Sequence, residues 1–205
     1  MNIAIIGTGN VGRALGTGWA AAGHTIIFGS RSPDDPAVKE LVATTGATSR
    51  ATTPPNAARE AEVVLIATPW RVTEQVLKTL GSLHGKILID ATNPVGTTVT
   101  TADSAAELVN RWAEGARVVK AFNTTGSKNM LEPNYRERAL DMFICGDDEA
   151  AKQVVDGLAK DLGFSTVDCG PLSNASLLEN LAMLWIQLAY SLGNGPDIGF
   201  ALLRR

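Results

Sequence analysis

Asn2-Ile3-Ala4-Ile5-Ile6 runs directly into Gly7-Thr8-Gly9-Asn10-Val11-Gly12 and on to Arg13-Ala14-Leu15. The apolar run reads as a strand, the glycines as a tight turn, and the residues after them as a helix. In that context G-x-G-x-x-G is a dinucleotide fingerprint and not an ordinary turn. Gly7 allows the turn, Gly9 lets the backbone approach a pyrophosphate, and Gly12 lets the helix pack closely on the strand. The free N–H groups and dipole of the first helical turn favour the ligand's negative charge.

The next apolar run, Thr25-Ile26-Ile27-Phe28, ends in Gly29-Ser30-Arg31-Ser32. A carboxylate at this strand end would hold a ribose 2′-hydroxyl and select NAD. None is present. Ser30 offers a hydroxyl and Arg31 a guanidinium fork that matches a phosphate, so the expected cofactor is NADP(H).

The remaining chain alternates strand-like and helix-like segments. Helices are expected over 11–22, 35–45, 57–60, 72–80, 104–112 and 150–162. Strands are expected over 63–67, 87–90, 117–122, 142–145 and 165–169, with a short extended piece near 47–51. Continuous apolar strands such as Val63-Val64-Leu65-Ile66-Ala67 are those of a sheet covered on both faces. The expected fold is α/β, a Rossmann-type doubly wound and mostly parallel sheet. The 205 residues fit one domain, 1–205.

In such sheets ligands bind beyond the carboxyl ends of the strands. That places Thr68-Pro69-Trp70, Asn93-Pro94-Val95 and Phe122-Asn123-Thr124 beside the glycine turn. Proline stiffens two of these loops, and Thr, Asn and backbone groups suit riboses and the carboxamide. The candidate cofactor-binding residues are Gly7, Thr8, Gly9, Asn10, Val11, Gly12, Ser30, Arg31, Thr68, Pro69, Trp70, Asn93, Pro94, Ala121, Phe122 and Asn123. No catalytic residue is assigned. His24 and His84 fall in turns that precede strands, at the amino end of the sheet, and read as surface residues. Lys120, near a strand end, reads as structural or solvated. Hydride exchange with a flavin-like acceptor needs positioning more than an acid or base.

Hydrophobic residues make up 45% and charged residues 19%, with a net charge of −3. Nothing in that balance points to nucleic acid or an anionic membrane. The two cysteines, Cys145 and Cys169, read as buried free thiols of a reducing, cytoplasmic compartment. They and the two histidines are too scattered for a metal site. The chain enters a strand at once, so no leader is expected, and no segment has the length and purity of a membrane span.

The segment 172–205 reads as a C-terminal helical element. Leu172–Asn180 opens a long helix, Ser176 and Glu179 match a capping box, and Leu181–Tyr190 is apolar almost all round. Such a helix is buried on several sides, which makes a second subunit its expected cover.

Over nearly its whole length the chain resembles the NADP-dependent reductases of the deazaflavin coenzyme F420. The likeness is carried by Gly7–Gly12, Gly29-Ser30-Arg31, Thr68-Pro69-Trp70, Cys145-Gly146-Asp147-Asp148, Gly170-Pro171-Leu172-Ser173-Asn174 and Leu181-Ala182-Met183-Leu184-Trp185. The resemblance implies a homodimer and NADP contacts from Thr8, Gly9, Asn10, Val11, Ser30 and Arg31. It also implies hydride exchange between nicotinamide C4 and a deazaflavin. Asp90-Ala91-Thr92-Asn93-Pro94 and Lys120-Ala121-Phe122-Asn123-Thr124 depart from that pattern. They are similar to the reductase domains of STEAP-type metalloreductases, which pass hydride from NADPH to a flavin. The acceptor is therefore expected to be coenzyme F420 or FMN/FAD. Two other functions fit the residues: an NADP-binding redox sensor without turnover, and a reductase of a small imine or carbonyl compound.

Overall fold

The structure, a computed structural model, describes residues 1–96, 103–136 and 138–205. Three parallel crossovers open the chain. They connect β1 (Asn2–Ile6), α1 (Asn10–Ala21), β2 (Thr25–Gly29), α2 (Pro36–Thr45), β3 (Ser49–Thr52), α3 (Pro54–Glu60) and β4 (Val63–Ile66). The chain continues through α4 (Trp70–Thr79), β5 (Ile87–Asp90), α5 (Ala105–Trp112) and β6 (Arg117–Lys120). A short helix, α6 (Ser127–Leu131), and a two-stranded ribbon, β7 (Asn134–Tyr135) with β8 (Arg138–Ala139), then lead into β9 (Asp141–Gly146). Helix α7 (Glu149–Asp161), β10 (Ser165–Asp168) and α8 (Ala175–Ile186) complete the chain's regular elements.

The sheet order is β10-β9-β6-β5-β4-β1-β2-β3. The six strands from β3 to β6 are parallel, β9 runs antiparallel to β6, and β10 is parallel to β9. The reversal follows from the α6–ribbon segment, which brings the chain back without a full crossover. Neither α6 nor the ribbon is legible in the sequence pattern. The chain order reverses between β1 and β4, where such folds open a crevice.

Strand alternation divides the core into two layers. Ile3, Ile5 and Leu65 face one layer with Leu15 and Trp19 of α1, and Ala4, Ile6, Val64 and Ile66 face the other with Ala57, Ala58 and Leu77. All four residues of β4 and of β5 are buried, as expected for central strands. Each large aliphatic side chain so buried contributes about 1.5–3 kcal/mol. Trp19 ties α1 to α7, its indole N–H donating to the Leu158 carbonyl at 2.9 Å.

The C-terminal segment corrects two expectations. A 3-10 turn over Leu172–Asn174 precedes α8, and a π turn over Gln187–Ser191 ends it, so no helix continues to residue 205. Ser176 and Glu179 form no capping box. Ser176 lies inside α8, whose N-cap, Asn174, makes no side-chain cap. The carboxylate of Glu179 instead points inward and accepts from two backbone N–H groups at the start of α5. Helix α8 also buries a single stripe, Ala175, Leu178, Glu179, Ala182 and Trp185, while Leu177, Met183 and Leu184 are exposed.

Candidate nucleotide-binding site

The last residues of five strands stand in one row. Gly29 pairs with Ile6, Ile6 with Ile66, Ile66 with Asp90, and Asp90 with Lys120. Every candidate loop leaves the sheet from this row. At the spacing of neighbouring strands, the row from β2 to β6 spans roughly 19 Å. Ser30 and Arg31 thus lie at one end, the glycine turn and Thr68 in the middle, and Asn93 and Asn123 at the other.

The glycine turn has the shape a pyrophosphate requires. Gly7 has φ +121°, and a Cβ there would stand 2.5 Å from the Ala67 carbonyl oxygen. A Cβ on Gly12 would collide with the Gly7 carbonyl oxygen. Gly9 is different: a Cβ on it would meet nothing within 4 Å. Gly9 is also the N-cap of α1, so no side chain caps the helix, and no acidic residue occupies its first turn. The first N–H groups of a helix have no partner within it. An uncapped positive helix end thus faces open space above a residue without a side chain. Among the candidates here, Thr8 and Val11 are half-buried and Asn10 is exposed.

At the end of β2, the Ser30 N–H donates to the Thr52 carbonyl at 2.9 Å. The Ser30 hydroxyl accepts from the Ser32 N–H at 3.2 Å, which leaves its own proton to donate outward. Arg31 is exposed and forms no ion pair among the described residues. This uncommitted cation fits a phosphate.

In the third loop, the Thr68 and Thr73 hydroxyls bond at 2.9 Å, and Pro69 is the N-cap of α4. Trp70, the first residue of α4, packs against Trp112 at the end of α5, with ring centroids 5.4 Å apart. It is half-buried there and braces the loop.

The far end of the row is tied by side-chain hydrogen bonds. Asn93 Nδ2 donates to the Asn123 carbonyl at 2.8 Å, and Asn123 Nδ2 donates to Asn93 Oδ1 at 2.9 Å and to the Leu178 carbonyl at 3.3 Å. Asn123 Oδ1 is buried and has no hydrogen-bond partner among the described residues. Buried polar atoms are rarely left so, and the atom suits an amide N–H of a ligand. Ala121 and Phe122, two further candidates, follow the end of β6. Both are fully buried. Phe122 adopts φ 59°, its ring stands edge-on to Trp19 at 5.5 Å, and its N–H donates to Met142 Sδ at 3.1 Å. The left-handed turn at Phe122, uncommon for a non-glycine residue, anchors the ring in the core as the chain passes to Asn123.

Beneath this end lies a cluster not foreseen from the sequence. Lys120 is fully buried, so it is not solvated. Its ammonium bonds Asp90 Oδ2 at 2.9 Å and the Thr92 carbonyl at 2.6 Å, and stands 3.2 Å from Glu179 Oε1. Asp90 Oδ1 accepts from the Thr92 N–H at 2.9 Å and from its hydroxyl at 2.7 Å. Glu179 accepts from the N–H groups of Ala105 and Ala106, each at 3.1 Å. Removing one partner of a buried pair of this kind costs about 3–5 kcal/mol. The signal available in the sequence is that Asp90 closes the otherwise apolar β5 and that Lys120, of opposite charge, follows Val118-Val119 at the end of β6.

His24 and His84 lie in the turns that enter β2 and β5, at the opposite edge of the sheet. No group of three or more His, Cys, Asp or Glu placed to hold a metal occurs among the described residues. Nor is any helix of the described residues long and apolar enough to cross a membrane.

Residues 2–94 match the family model described as NADP oxidoreductase, coenzyme F420-dependent. The chain is 32% identical to the F420-dependent NADP reductase of Methanothermobacter thermautotrophicus, over 92% of this chain and 89% of that one. It is 29% identical to the metalloreductase STEAP3 of Rattus norvegicus over 88% of this chain but only 36% of that protein. The crystal structure of a putative F420-dependent NADP reductase from Arthrobacter sp. FB24 superposes with a TM-score of 0.90 at 31% identity, covering 100% of both chains. An imine reductase from Streptomyces aurantiacus, at 18% identity and a TM-score of 0.70, shares the fold. With that identity held over almost all of both chains, and with the glycine turn and Arg31 in place, this chain belongs to the F420-dependent NADP reductase family.

Proposed function

We propose that this protein binds NADP(H) along the row of strand ends and exchanges hydride with a deazaflavin, coenzyme F420. One observation carries the cofactor half of this reading. The uncapped end of α1 above Gly9 lies one strand away from Arg31, a cation with no acidic partner among the described residues. The α1 N–H groups hold the pyrophosphate, Ser30 and Arg31 the 2′-phosphate, and Asn93 and Asn123 the nicotinamide end. When bound, NADPH supplies a hydride from its nicotinamide ring.

This chain's own residues contribute place rather than acid–base chemistry. Thr68, fixed by Thr73, and Pro69 border the middle of the row, and Trp70 stiffens that border through Trp112. Asn123 Oδ1, buried without a partner among the described residues, would accept from the carboxamide of a bound nicotinamide. Rigid placement of two reactants is worth about 7–11 kcal/mol of barrier in favourable cases.

The acceptor belongs on the open side, beside α8. We propose that a second copy of this chain covers the exposed Leu177, Met183 and Leu184 of α8, together with Tyr190 and Leu192. Leu177 and Leu184 lie two helical turns apart on one face. The free thiols of Cys145 and Cys169 accord with work in the cytoplasm.

The test is NADPH oxidation followed by absorbance with F420, FMN, FAD or no acceptor. Turnover with F420 supports the reading. Turnover with FMN or FAD alone moves the acceptor to the flavins. NADPH binding with no turnover under any acceptor overturns the enzymatic reading in favour of a sensor.

A further inference from the structure

We propose that the buried Lys120–Asp90–Glu179 cluster is the positioning device of the nicotinamide end, and that it couples α8 to the cofactor. The inference rests on the NADP reading above. Three of the chain's elements meet in this cluster: β5 at its last residue Asp90, β6 at its last residue Lys120, and α8 through Glu179 in its second turn. Its reach extends one step further in each direction. Lys120 holds the Thr92 carbonyl, and Asp90 holds the Thr92 N–H and hydroxyl, so the residue before Asn93 is fixed from three sides. Asn93 and Asn123 then bond each other, and Asn123 bonds the Leu178 carbonyl next to Glu179. The result is a closed circuit from Lys120 through Thr92, Asn93, Asn123 and Leu178 back to Glu179, made of hydrogen bonds, the peptide links Thr92–Asn93 and Leu178–Glu179, and the Glu179–Lys120 ion pair. Among the described residues, its Asn123 Oδ1 is buried without a partner.

The charges explain why the loop is rigid. One ammonium sits between two carboxylates, and the surplus negative charge is met by the Ala105 and Ala106 N–H groups and the positive end of α5. Each member therefore has a single low-energy place, because leaving any of them buried without its partner is unfavourable. A scaffold alone would not need ions here. Apolar residues of similar size hold strands together as well or better. What the ions add is a defined orientation, and the orientation they define is that of Thr92, Asn93 and Asn123. None of the three ions is placed against the adenosine half of the row.

The test compares the two halves of the cofactor. 2′,5′-ADP reports the adenosine end, and steady-state turnover of NADPH with F420 reports the nicotinamide end. The variants are Lys120→Met and Glu179→Gln, with Thr92→Val as a milder change that removes one hydroxyl donor and no charge. The expected result is a fall in kcat of at least about tenfold in the ion variants, since misplacement by about 1 Å can cost about a hundredfold. The dissociation constant of 2′,5′-ADP stays within about twofold, and Thr92→Val lowers kcat in the same direction by a smaller factor. Equal weakening of 2′,5′-ADP and of turnover overturns the proposal, as does unchanged kcat in any folded variant. If an ion variant fails to fold, Thr92→Val decides by the same criteria. If the unmodified protein itself does not bind 2′,5′-ADP, the NADP reading fails first and is recognised separately.

Discussion

Asn93 and Asn123 are bonded to each other twice across the ends of β5 and β6, at 2.8 and 2.9 Å, and this pairing leaves Asn123 Oδ1 facing no donor. An unsatisfied buried acceptor costs about 1–3 kcal/mol. A ligand that supplies an N–H recovers that cost, and one that does not inherits it. The 3-acetylpyridine analogue of NADPH lacks the amide N–H. The protein is expected to disfavour this analogue by about tenfold, near the lower half of that energy range. Asn123→Ala should bring the ratio of kcat/KM for the two cofactors close to its intrinsic chemical value. An undiminished ratio in the variant would place the carboxamide elsewhere.

Arg31 gives the second prediction. It is exposed, so its removal leaves no buried charge behind and hardly touches stability. A charge-assisted hydrogen bond contributes about 1.5–3 kcal/mol. Arg31→Ala is therefore expected to raise the KM for NADPH by roughly tenfold to a hundredfold and to leave that for NADH nearly unchanged. Equal losses for both cofactors would show that Arg31 does not read the 2′-phosphate.

The glycines of the turn separate binding from folding. A Cβ on Gly9 meets no protein atom within 4 Å, whereas one on Gly12 strikes the Gly7 carbonyl oxygen. Gly9→Ala weakens the N-cap by up to about 1 kcal/mol, which in a chain of this size is about 2–4 °C in Tm. Its methyl group nevertheless stands where the phosphates approach, so NADPH affinity falls by more than about tenfold. Gly12→Ala displaces the turn itself and lowers both Tm and affinity. Thermal denaturation with and without NADPH distinguishes them. A Gly9→Ala protein that binds NADPH normally contradicts the pyrophosphate placement.

The contrast between these residues shows which parts of the molecule are legible in the chain. The turn at Gly7–Gly12 is local: six consecutive residues carry its geometry, and both its shape and its partner strand are readable. The parallel order from β3 to β6 is likewise readable, because buried strands and amphipathic helices alternate at short spacing. The reversal at β9 is not, since it depends on a five-residue helix and a ribbon of two-residue strands too short to show a period. Lys120 and Glu179 are hidden for another reason. Their partners lie 30 and 74 residues away in sequence, in Asp90 and at the start of α5. Local spacing therefore reads Glu179 as a cap for its own helix, where Ser176 stands one turn before it. Tertiary contact assigns it to α5. The inward turn of the Phe122 ring is hidden on similar grounds, since its partner Trp19 lies about a hundred residues earlier.

Cys145 gives a prediction about alkaline stability. Burial pushes its thiol up to about 12, with a further rise from nearby Cys169, against 9.0 for the free group. The folded state then holds a proton that the unfolded state releases. Stability from this group is complete below pH 9.0 and declines as pH rises through the window up to about 12. In denaturant titrations at increasing pH, Cys145→Ala should show a shallower fall of the midpoint across that window than the unmodified protein. Parallel slopes would mean that Cys145 does not contribute to the alkaline limb.

The exposed face of α8 bears on assembly. Leu177 is 63% exposed and Leu184 49%, although both stand on a helix whose other side reaches the buried cluster. A contiguous apolar patch of this kind is characteristic of an interface, and the symmetric cover available to every molecule is a second copy of itself. A Leu177→Lys/Leu184→Lys protein buries nothing new and should keep its Tm within about 4 °C, since exposed substitutions usually change stability by less than about 0.5 kcal/mol per site. Sedimentation equilibrium is expected to find the unmodified chain dimeric and this variant monomeric. If the dimer positions α8, the monomer also loses turnover with F420 while it still binds 2′,5′-ADP, because Glu179 is the only ionised contact between α8 and the strand ends among the described residues. A variant that remains dimeric would remove α8 from the interface.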